Sequence, residues 1–400
     1  TKAGGFTHIF KRKGYDWDVG LHYVGEVHRP ESMLRRLFDE ITDGRLEWQP
    51  MAEVYDTVIV GDERFEYVAG RDNWRRRMHE YFPAETAAID RYLELVGETT
   101  RGARSYFGSK AMPGPVAAFA SPFMRRPFLR HATRTVAEVL DELTDDVVLK
   151  TVLTAQFGDY GLPPAQASFG IHAMVFNHYL RGAAYPVGGS ARIAAEIIPE
   201  IEAAGGAVVV GAEVSEILIE HGRAVGVRLG DDRELRAPVV ISDAGVPNTV
   251  HRLLPADAPG RRALSSVLKR VEPSTSHICL YVGLDKTDSE LGLPTSNLWV
   301  YPGPDHDANI DRYLGDPSAP LPVTYISFPS GKDPDFQRRN PGKATVEIVS
   351  IAPYEWFSNW EDAPWQKRGD DYESYKEQLS QRLLEVLVRE VPQLADAIDY

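Results

Sequence analysis

A helix followed by several short strands, between residues 190 and 241, constrains the possible fold more than any other stretch of the chain. The helix is predicted to begin after Ser190, because serine is a common N-cap, and to end at Gly205-Gly206. Pro199 is expected to bend or weaken it. The apolar residues of this helix share one face, at Ile193, Ile197, Ile198 and Ile201.

The segment after this helix has the pattern of short strands separated by turns. Alternation predicts strands at 207–210, 213–220 and 224–229, with turns at His221-Gly222 and Gly230-Asp231-Asp232. The apolar run Val239-Val240-Ile241 is interpreted as a buried return strand. Together these elements predict an α/β unit with an antiparallel excursion.

The rest of the chain alternates between helical and strand-like patterns. Apolar spacing predicts a helix from about 30 to 43 and helical structure over 73–97, interrupted at Pro83. A strand pair is predicted at 54–60 and 65–68. A second sheet is expected from strands at 278–282, 298–301, 323–328 and 344–351, before a closing helix at 371–390.

Composition excludes several classes of protein. The formal charge of −14 argues against a nucleic-acid partner, because such proteins neutralise phosphates with basic side chains. Cys279 is the single cysteine, so an internal disulfide or a cysteine-rich metal site is excluded, and a structural thiol in a cytoplasmic protein is expected. No metal-ligand spacing is found, and no apolar run is long enough for a spanning helix.

One region has a charge opposite to that of the whole chain. No acidic residue lies between Glu98 and Glu138, whereas seven residues there are lysine or arginine. The uncharged stretch 111–124 lies inside this region. An apolar segment flanked by arginines suits contact with an anionic membrane surface, and the alternative is a helical cap whose arginines pair with acidic residues elsewhere. The expected membrane contacts within 99–137 are Phe123, Met124, Arg125, Arg126, Phe128 and Arg130.

In segments 4–25, 156–164, 182–189, 214–227 and 239–245, the chain resembles flavoproteins of the phytoene desaturase, carotenoid isomerase and retinol saturase superfamily. The opening segment 4–25, GGFTHIFKRKGYDWDVGLHYVG, is similar to the part that follows the ribose-binding glutamate in these proteins. The segments 156–164 and 182–189 are most similar to the retinol saturase branch, and 214–227 and 239–245 to the second flavin-binding segment of the superfamily.

The resemblance implies an α/β fold (α+β overall), in which an incomplete FAD/NAD(P)-binding Rossmann-like domain carries an inserted substrate domain of antiparallel sheet and helices. The FAD-binding domain would comprise residues 1–30 and 181–255, and the substrate-binding domain residues 31–180 and 256–400. Glycines also let backbone amides approach a pyrophosphate closely. The implied cofactor-binding residues are Gly4, Gly5, Phe6, His22, Tyr23, Gly188, Gly189, Val214, Ser242, Asp243 and Ala244.

By the same resemblance, the protein is an FAD-dependent oxidoreductase acting on carbon–carbon double bonds of an apolar polyene or isoprenoid, with NAD(P)H as a candidate electron donor. A hydride from the flavin and a proton from the protein would be added across the bond. Tyr185 and then His22 are the expected proton donors, and Tyr160, His172, His178 and Tyr179 are expected to line the substrate pocket. A redox-neutral carotenoid cis–trans isomerase and a non-catalytic lipid-binding protein remain alternatives.

The sequence departs from the family pattern in two respects. The glycine-rich βαβ element that holds the pyrophosphate in the family would precede Thr1, and a further flavin-contacting segment would follow Tyr400, so a fragment that binds FAD poorly is expected. Related branches also carry an arginine after the glycine pair, where this chain has Phe6.

Overall fold

The computed structural model describes residues 2–271 and 274–400 and divides into two compact units. The small unit comprises Thr1–Gly5 and Ile201–Ser274, and the large unit comprises Phe6–Glu200 and Thr275–Tyr400. Residues 6–30 and 181–200 therefore group with the large unit, whereas the predicted FAD-binding domain contains them. The reason is strand pairing, since 24–25 and 48–50 both pair with 183–186. The functional assignment of the predicted domains stays a prediction.

The strands and helices follow one another along the chain with short connections. The strands are β1 (Ile9–Arg12), β2 (Tyr15–Asp18), β3 (Val24–Gly25), β4 (Trp48–Pro50), β5 (Val54–Val60), β6 (Glu63–Val68), β7 (Ala183–Pro186), β8 (Val214–Glu220), β9 (Arg223–Leu229), β10 (Glu234–Arg236), β11 (His277–Leu284), β12 (Asn297–Tyr301), β13 (Thr324–Ser327) and β14 (Ala344–Ile351). The helices are α1 (Met33–Ile41), α2 (Arg71–Tyr81), α3 (Thr86–Lys110), α4 (Gly114–Ala132), α5 (Val136–Asp141), α6 (Val147–Leu153), α7 (Phe169–Tyr179), α8 (Ala191–Ala203), α9 (Val246–Asn248), α10 (Arg261–Leu268), α11 (Asp288–Leu291), α12 (His306–Gly315), α13 (Pro329–Lys332), α14 (Phe336–Arg339) and α15 (Asp370–Glu390).

The large unit is organised around a six-stranded sheet with the order β11-β14-β13-β12-β5-β6. Strands β5 and β12 run parallel, and the other neighbours are antiparallel. The central strands are rich in β-branched and aromatic residues and are almost entirely buried, as expected for a sheet covered on both faces. Two charged residues, Asp56 of β5 and Glu347 of β14, are nevertheless 0% exposed within it.

Helices α3 and α4 form an antiparallel hairpin in the large unit. They approach closely at Gly102, where a Cβ atom would lie 2.8 Å from the backbone nitrogen of Phe128. The ring of Phe128 packs 4.9 Å from that of Tyr106, so Phe128 is buried rather than presented at the surface. Arg125 donates a 2.9 Å hydrogen bond from Nε to Ser109 and is thereby held to the hairpin.

The small unit contains the antiparallel sheet β8-β9-β10 together with α9 and α10. The predicted hairpin strands 213–220 and 224–229 are confirmed, with positive φ at His221 and Gly222 in the connecting turn. The predicted strands at 207–210 and 239–241 are wrong. A strand requires a hydrogen-bonded neighbour, and among the described residues neither segment has one; Val209 and Ile241 are 65% and 91% exposed.

Candidate functional site

A cluster of buried polar side chains surrounds Lys332, at the end of α13 in the large unit. The Lys332 ammonium donates hydrogen bonds to Asn297 Oδ1, to Ser327 Oγ at 2.8 Å and to the main-chain oxygen of His22 at 3.1 Å. Burial lowers the pKa of Lys332 to about 7, although nearby carboxylates act in the opposite direction. The ammonium therefore connects two strands, β12 and β13, and the loop after β2 at one buried point.

Asp56 forms the second part of this cluster. Its carboxylate accepts hydrogen bonds from Tyr23 Oη at 2.9 Å, Gln156 Nε2 at 2.9 Å and Asn297 Nδ2 at 2.8 Å. Burial raises the pKa of Asp56, and the three donors oppose that rise. Asn297 bonds both Asp56 and Lys332, so the two charged groups share one amide.

His22 and Glu347 are in contact at the edge of the same cluster. Nδ1 of His22 lies 3.0 Å from Oε2 of Glu347, and 18% of the His22 side chain is exposed whereas that of Glu347 is fully buried. Burial raises the pKa of Glu347 to about 8 and lowers the pKa of His22. At neutral pH the arrangement favours an uncharged pair in which the carboxyl carries the proton.

Tyr185, the first expected proton donor, lies in β7 with 1% of its surface exposed. Its hydroxyl donates a hydrogen bond to Asp18, which also accepts hydrogen bonds from the backbone and hydroxyl groups of Ser190. Burial raises the pKa of Asp18 to about 7, and the Glu347 charge adds to this effect. In the structure the Tyr185 hydroxyl is therefore hydrogen-bonded to the buried Asp18 carboxyl group. The catalytic role of Tyr185 stays a prediction.

The glycines Gly188 and Gly189 form the turn between β7 and α8, and both have positive φ, which favours glycine. The Gly188 amide donates to Asp333 at 2.9 Å and the Gly189 amide to the Pro186 carbonyl at 3.0 Å. Both amides are therefore engaged within the large unit. Their predicted contact with a cofactor stays a prediction.

The four expected substrate-pocket residues form two groups. Both ring nitrogens of His172 are hydrogen-bonded, Nδ1 with Tyr160 Oη at 3.0 Å and Nε2 with Tyr92 Oη at 2.8 Å. Burial lowers the pKa of His172 to about 3. Tyr179 stacks on Tyr23, with ring centroids 4.3 Å apart. His178 Nε2 accepts a 2.9 Å hydrogen bond from the Gly25 amide. The Tyr23 hydroxyl connects the second group to Asp56. Their role in lining a pocket stays a prediction.

The remaining expected cofactor residues, apart from Phe6, belong to the small unit. Gly4 and Gly5 both have positive φ, and a Cβ atom at Gly5 would meet no atom of the described residues within 4 Å. Val214 begins β8, and Ser242 lies 2.7 Å from Thr249 between hydroxyl oxygens. Residues 242–244 are exposed, and instead of ending a strand they belong to an irregular segment because 239–241 pairs with no strand in the described part. Phe6 belongs to the large unit and is 80% exposed.

Sequence reasoning missed the residues at the centre of the cluster, namely Lys332, Glu347, Asp56, Asn297 and Asp18. One signal was available, because Asp56 and Glu347 each interrupt a run of β-branched residues, VYDTVIV and ATVEIVSI, in predicted strands. A charged side chain is almost never fully buried unless it is paired, so such an interruption indicates either an exposed face or a polar site.

The described residues contain neither a membrane-spanning helix nor a metal-binding cluster. Across 2–271 and 274–400, no helix combines the length and hydropathy needed to cross a bilayer. Within the same ranges, no three His, Cys, Asp or Glu side chains are grouped to hold a metal ion. A surface cavity of about 200 Å³ lies between α5, α6 and α12, but its lining residues include none of the expected site residues.

The chain is similar along its whole length to vertebrate retinoid enzymes. It is 38% identical to all-trans-retinol 13,14-reductase of Danio rerio over 421 residues, covering 100% of this chain and 68% of the relative. A second Danio rerio protein, named inactive all-trans-retinol 13,14-reductase, is 30% identical and covers 99% of the chain and 68% of its own length. Phytoene desaturase (neurosporene-forming) of Cereibacter sphaeroides is 30% identical over 225 residues, which is 54% of this chain and 40% of that protein.

Comparison of structures supports the fold. An oxidoreductase from Methanosarcina mazei superposes with a TM-score of 0.57 at 18% identity, covering 95% of this chain and 76% of that one. No family model matches the sequence. The predicted fold class, mixed α/β with Rossmann-like relatives, is confirmed.

The predicted family is confirmed by full-length identity rather than by single motifs. The match covers the whole chain and therefore both compact units. The chain therefore belongs to the retinol saturase-like branch of the phytoene desaturase superfamily of FAD-dependent oxidoreductases that act on carbon–carbon double bonds.

Proposed function

We propose that the protein reduces one double bond of a retinoid or a closely related apolar polyene. The observation that carries this proposal is the 38% identity to an all-trans-retinol 13,14-reductase over the whole chain. Reduction is preferred to desaturation because the match to the retinol reductase covers 100% of the chain, whereas the match to the phytoene desaturase covers 54% of it. A retinoid has one hydroxyl on a long apolar body, so positioning rather than charge is expected to dominate its recognition.

The residues of the small unit fit a bound FAD. At Gly5 no atom of the described residues lies within 4 Å of the place where a Cβ would stand, so a phosphate or the flavin edge could approach the backbone there closely. The apolar side chains of Val209, Val239 and Ile241 are 65%, 69% and 91% exposed, which suits coverage by an apolar ligand surface. When bound, FAD supplies the hydride chemistry. Gly4, Gly5, Val214 and residues 242–244 would hold it.

The test of this function follows the flavin and the polyene together. The FAD-loaded protein is reduced without oxygen and mixed with all-trans-retinol, and we expect one double bond to be lost for each flavin reoxidised. Isomerised retinol with the flavin still reduced would instead indicate the redox-neutral alternative. Binding without either change would indicate a lipid-binding protein.

The electron donor is proposed to be NAD(P)H. Its addition to the oxidised, FAD-loaded protein is expected to bleach the flavin absorption in the absence of oxygen. Persistence of the oxidised spectrum would show that another reductant is required.

The α3–α4 hairpin is proposed to dock on an anionic membrane surface, as a peripheral contact of a cytoplasmic protein. Val116, Phe119 and Phe123 follow one another at helical spacing on α4 and are 53%, 81% and 74% exposed. Arg126 and Arg130 are exposed on the same helix, and the hairpin carries no acidic residue after Glu98. Apolar side chains flanked by cations match a bilayer with negatively charged headgroups. An apolar substrate dissolved in that bilayer would then lie close to the docked protein.

Charge reversal at Arg126 and Arg130 is expected to release the protein from anionic vesicles. Each basic side chain near such a surface contributes about 1 kcal/mol, so Arg126→Glu with Arg130→Glu should weaken binding by at least about 30-fold. Flotation with phosphatidylserine-containing liposomes measures the bound fraction. The matched control is Arg262→Glu with Arg270→Glu, which makes the same charge change at exposed positions of the small unit. Equal loss of binding in both variants would contradict docking through the hairpin.

A further inference from the structure

The contact between His22 and Glu347 joins one partly exposed group to one that is completely buried. The ring of Tyr325 lies edge-on to His22, with centroids 5.0 Å apart, and closes one side of the imidazole. Among the described residues, no hydrogen bond of regular geometry is made to His22 Nδ1 or to either oxygen of Glu347, although Nδ1 and Oε2 are 3.0 Å apart. Burial disfavours the charged form of the Glu347 carboxyl and outweighs the groups that favour the carboxylate, so the carboxyl is held in its protonated form.

Lys332 fixes the position of the His22 backbone. The ammonium donates to the main-chain oxygen of His22 at 3.1 Å, so the backbone that carries the imidazole is anchored to the sheet through Asn297 and Ser327. The same ammonium acts electrostatically on Glu347 and stabilises its carboxylate form. Lys332 therefore both positions the imidazole and provides the countercharge that the carboxyl group needs after losing a proton.

We propose that Glu347 and His22 form a two-residue proton relay that delivers the proton added to carbon when the double bond is reduced. This inference rests on the proposed function. His22 is the proposed catalytic residue because it is the exposed end of the pair; Glu347 acts through it as the proton store, and Lys332 is a positioning residue.

The relay balances in protons and electrons. A bound reduced flavin would supply the hydride, and with it the electron pair, to one carbon of the double bond. The other carbon takes the proton from Nε2 of His22 while Nδ1 accepts the proton of the Glu347 carboxyl, so the imidazole stays neutral and Glu347 is left as a carboxylate that Lys332 stabilises. Solvent then protonates Nε2 at the exposed end of the pair while the proton on Nδ1 returns to Glu347, which restores both groups. The imidazole never needs to become a cation, in agreement with the burial that lowers its pKa.

Groups on every neighbouring element affect the charge of Glu347. They are His22 on the loop after β2, Asp18 on β2, Lys332 on α13, and Cys279 and Tyr281 on β11. Burial favours the protonated carboxyl, whereas Lys332 and a hydrogen bond from the Asp18 backbone favour the carboxylate. The balance of these effects places the pKa of Glu347 at about 8, so its carboxyl group carries a proton at neutral pH.

Glu347→Gln separates proton storage from packing, because the amide has the shape of the carboxyl and can still donate a hydrogen bond to Nδ1. The variant lacks the proton that the carboxyl supplies, so kcat is expected to fall by roughly 10²-fold, as is typical when one general acid is lost. The wild-type rate should decline above pH 8, where Glu347 loses its proton, and the variant should lack that decline. Glu377→Gln, an exposed change on α15, is the matched control and should behave as the wild type.

A second measurement needs no bound flavin. Acid–base titration of the folded protein between pH 7 and pH 9 should show the wild type and Glu377→Gln each releasing one proton more than Glu347→Gln, because the other groups that titrate in this range are present in all three. Reduction of retinol by Glu347→Gln at the wild-type rate, with the same pH profile, would overturn the relay and leave the proposed function standing. A wild-type protein that releases the proton but reduces no polyene would instead overturn the proposed function, and with it the delivery of this proton to carbon.

Discussion

Lys332→Met is expected to lower the free energy of unfolding of the large unit by about 3–5 kcal/mol at neutral pH, because breaking a buried charge network by removing one partner leaves the others uncompensated. Methionine fills a similar volume but leaves Asn297 Oδ1, Ser327 Oγ and the His22 carbonyl without their donor. Asp56 and Glu347 would lose the cation that favours their charged forms.

Tryptophan fluorescence during urea unfolding measures this effect selectively, because all seven tryptophans lie in the large unit. Lys367→Met provides the control, since Lys367 is exposed and a surface change of this kind usually alters stability by about 0.5 kcal/mol or less. If Lys332→Met unfolded at the same urea concentration as Lys367→Met, the ammonium would not be what holds the cluster together.

Local patterns in the sequence predicted most elements that pack on the large sheet. The pairing of 54–60 with 65–68 through the Gly61-Asp62 turn, the four strands after residue 276 and the closing helix are all confirmed. In these segments, the periodicity of apolar residues and the turn residues agree with each other and with the final packing. The helix ending before Gly205-Gly206 is confirmed for the same reason.

The errors in the small unit have a different origin. Val209 and Ile241 belong to apolar runs that are typical of buried strands, but such a run becomes a strand only where a partner offers hydrogen bonds. In the described residues neither run is paired, and both are exposed. Periodicity reports the tendency of a segment to be buried; it carries no information about which neighbour is present.

The centre of the candidate site could not be predicted because it depends on contacts between distant segments. Lys332 meets Asn297, 35 residues away, and His22, 310 residues away. The site residues predicted from motifs are mainly aromatic and histidine residues, and one of them, His22, does lie in the cluster. Asp56 and Glu347 were recognisable only as charged interruptions of apolar strands, and their common location follows from the order of strands in the sheet.

The free energy of unfolding is expected to fall as pH rises from about 5 to 8. Glu347→Gln is expected to remove the part of this fall that comes from the Glu347 proton. The pKa of Glu347 is 4.5 ordinarily and about 8 in the folded protein. Between these values the folded state binds the proton that the unfolded state has lost, so each pH unit costs about 1.4 kcal/mol of stability. The contribution is fully present below pH 4.5 and lost by pH 8.

The difference in unfolding free energy between Glu347→Gln and the wild type should therefore grow by roughly 5 kcal/mol in favour of the variant from pH 4.5 to pH 8. Lys332 has the opposite dependence above pH 7, because its pKa is lowered on folding, but it is present in both proteins and largely cancels in the difference. Urea unfolding at half-unit pH steps measures the curve, with Glu377→Gln as the flat reference. A difference that stays constant across this range would mean that Glu347 is already ionised in the folded protein, with Lys332 and His22 together satisfying its charge.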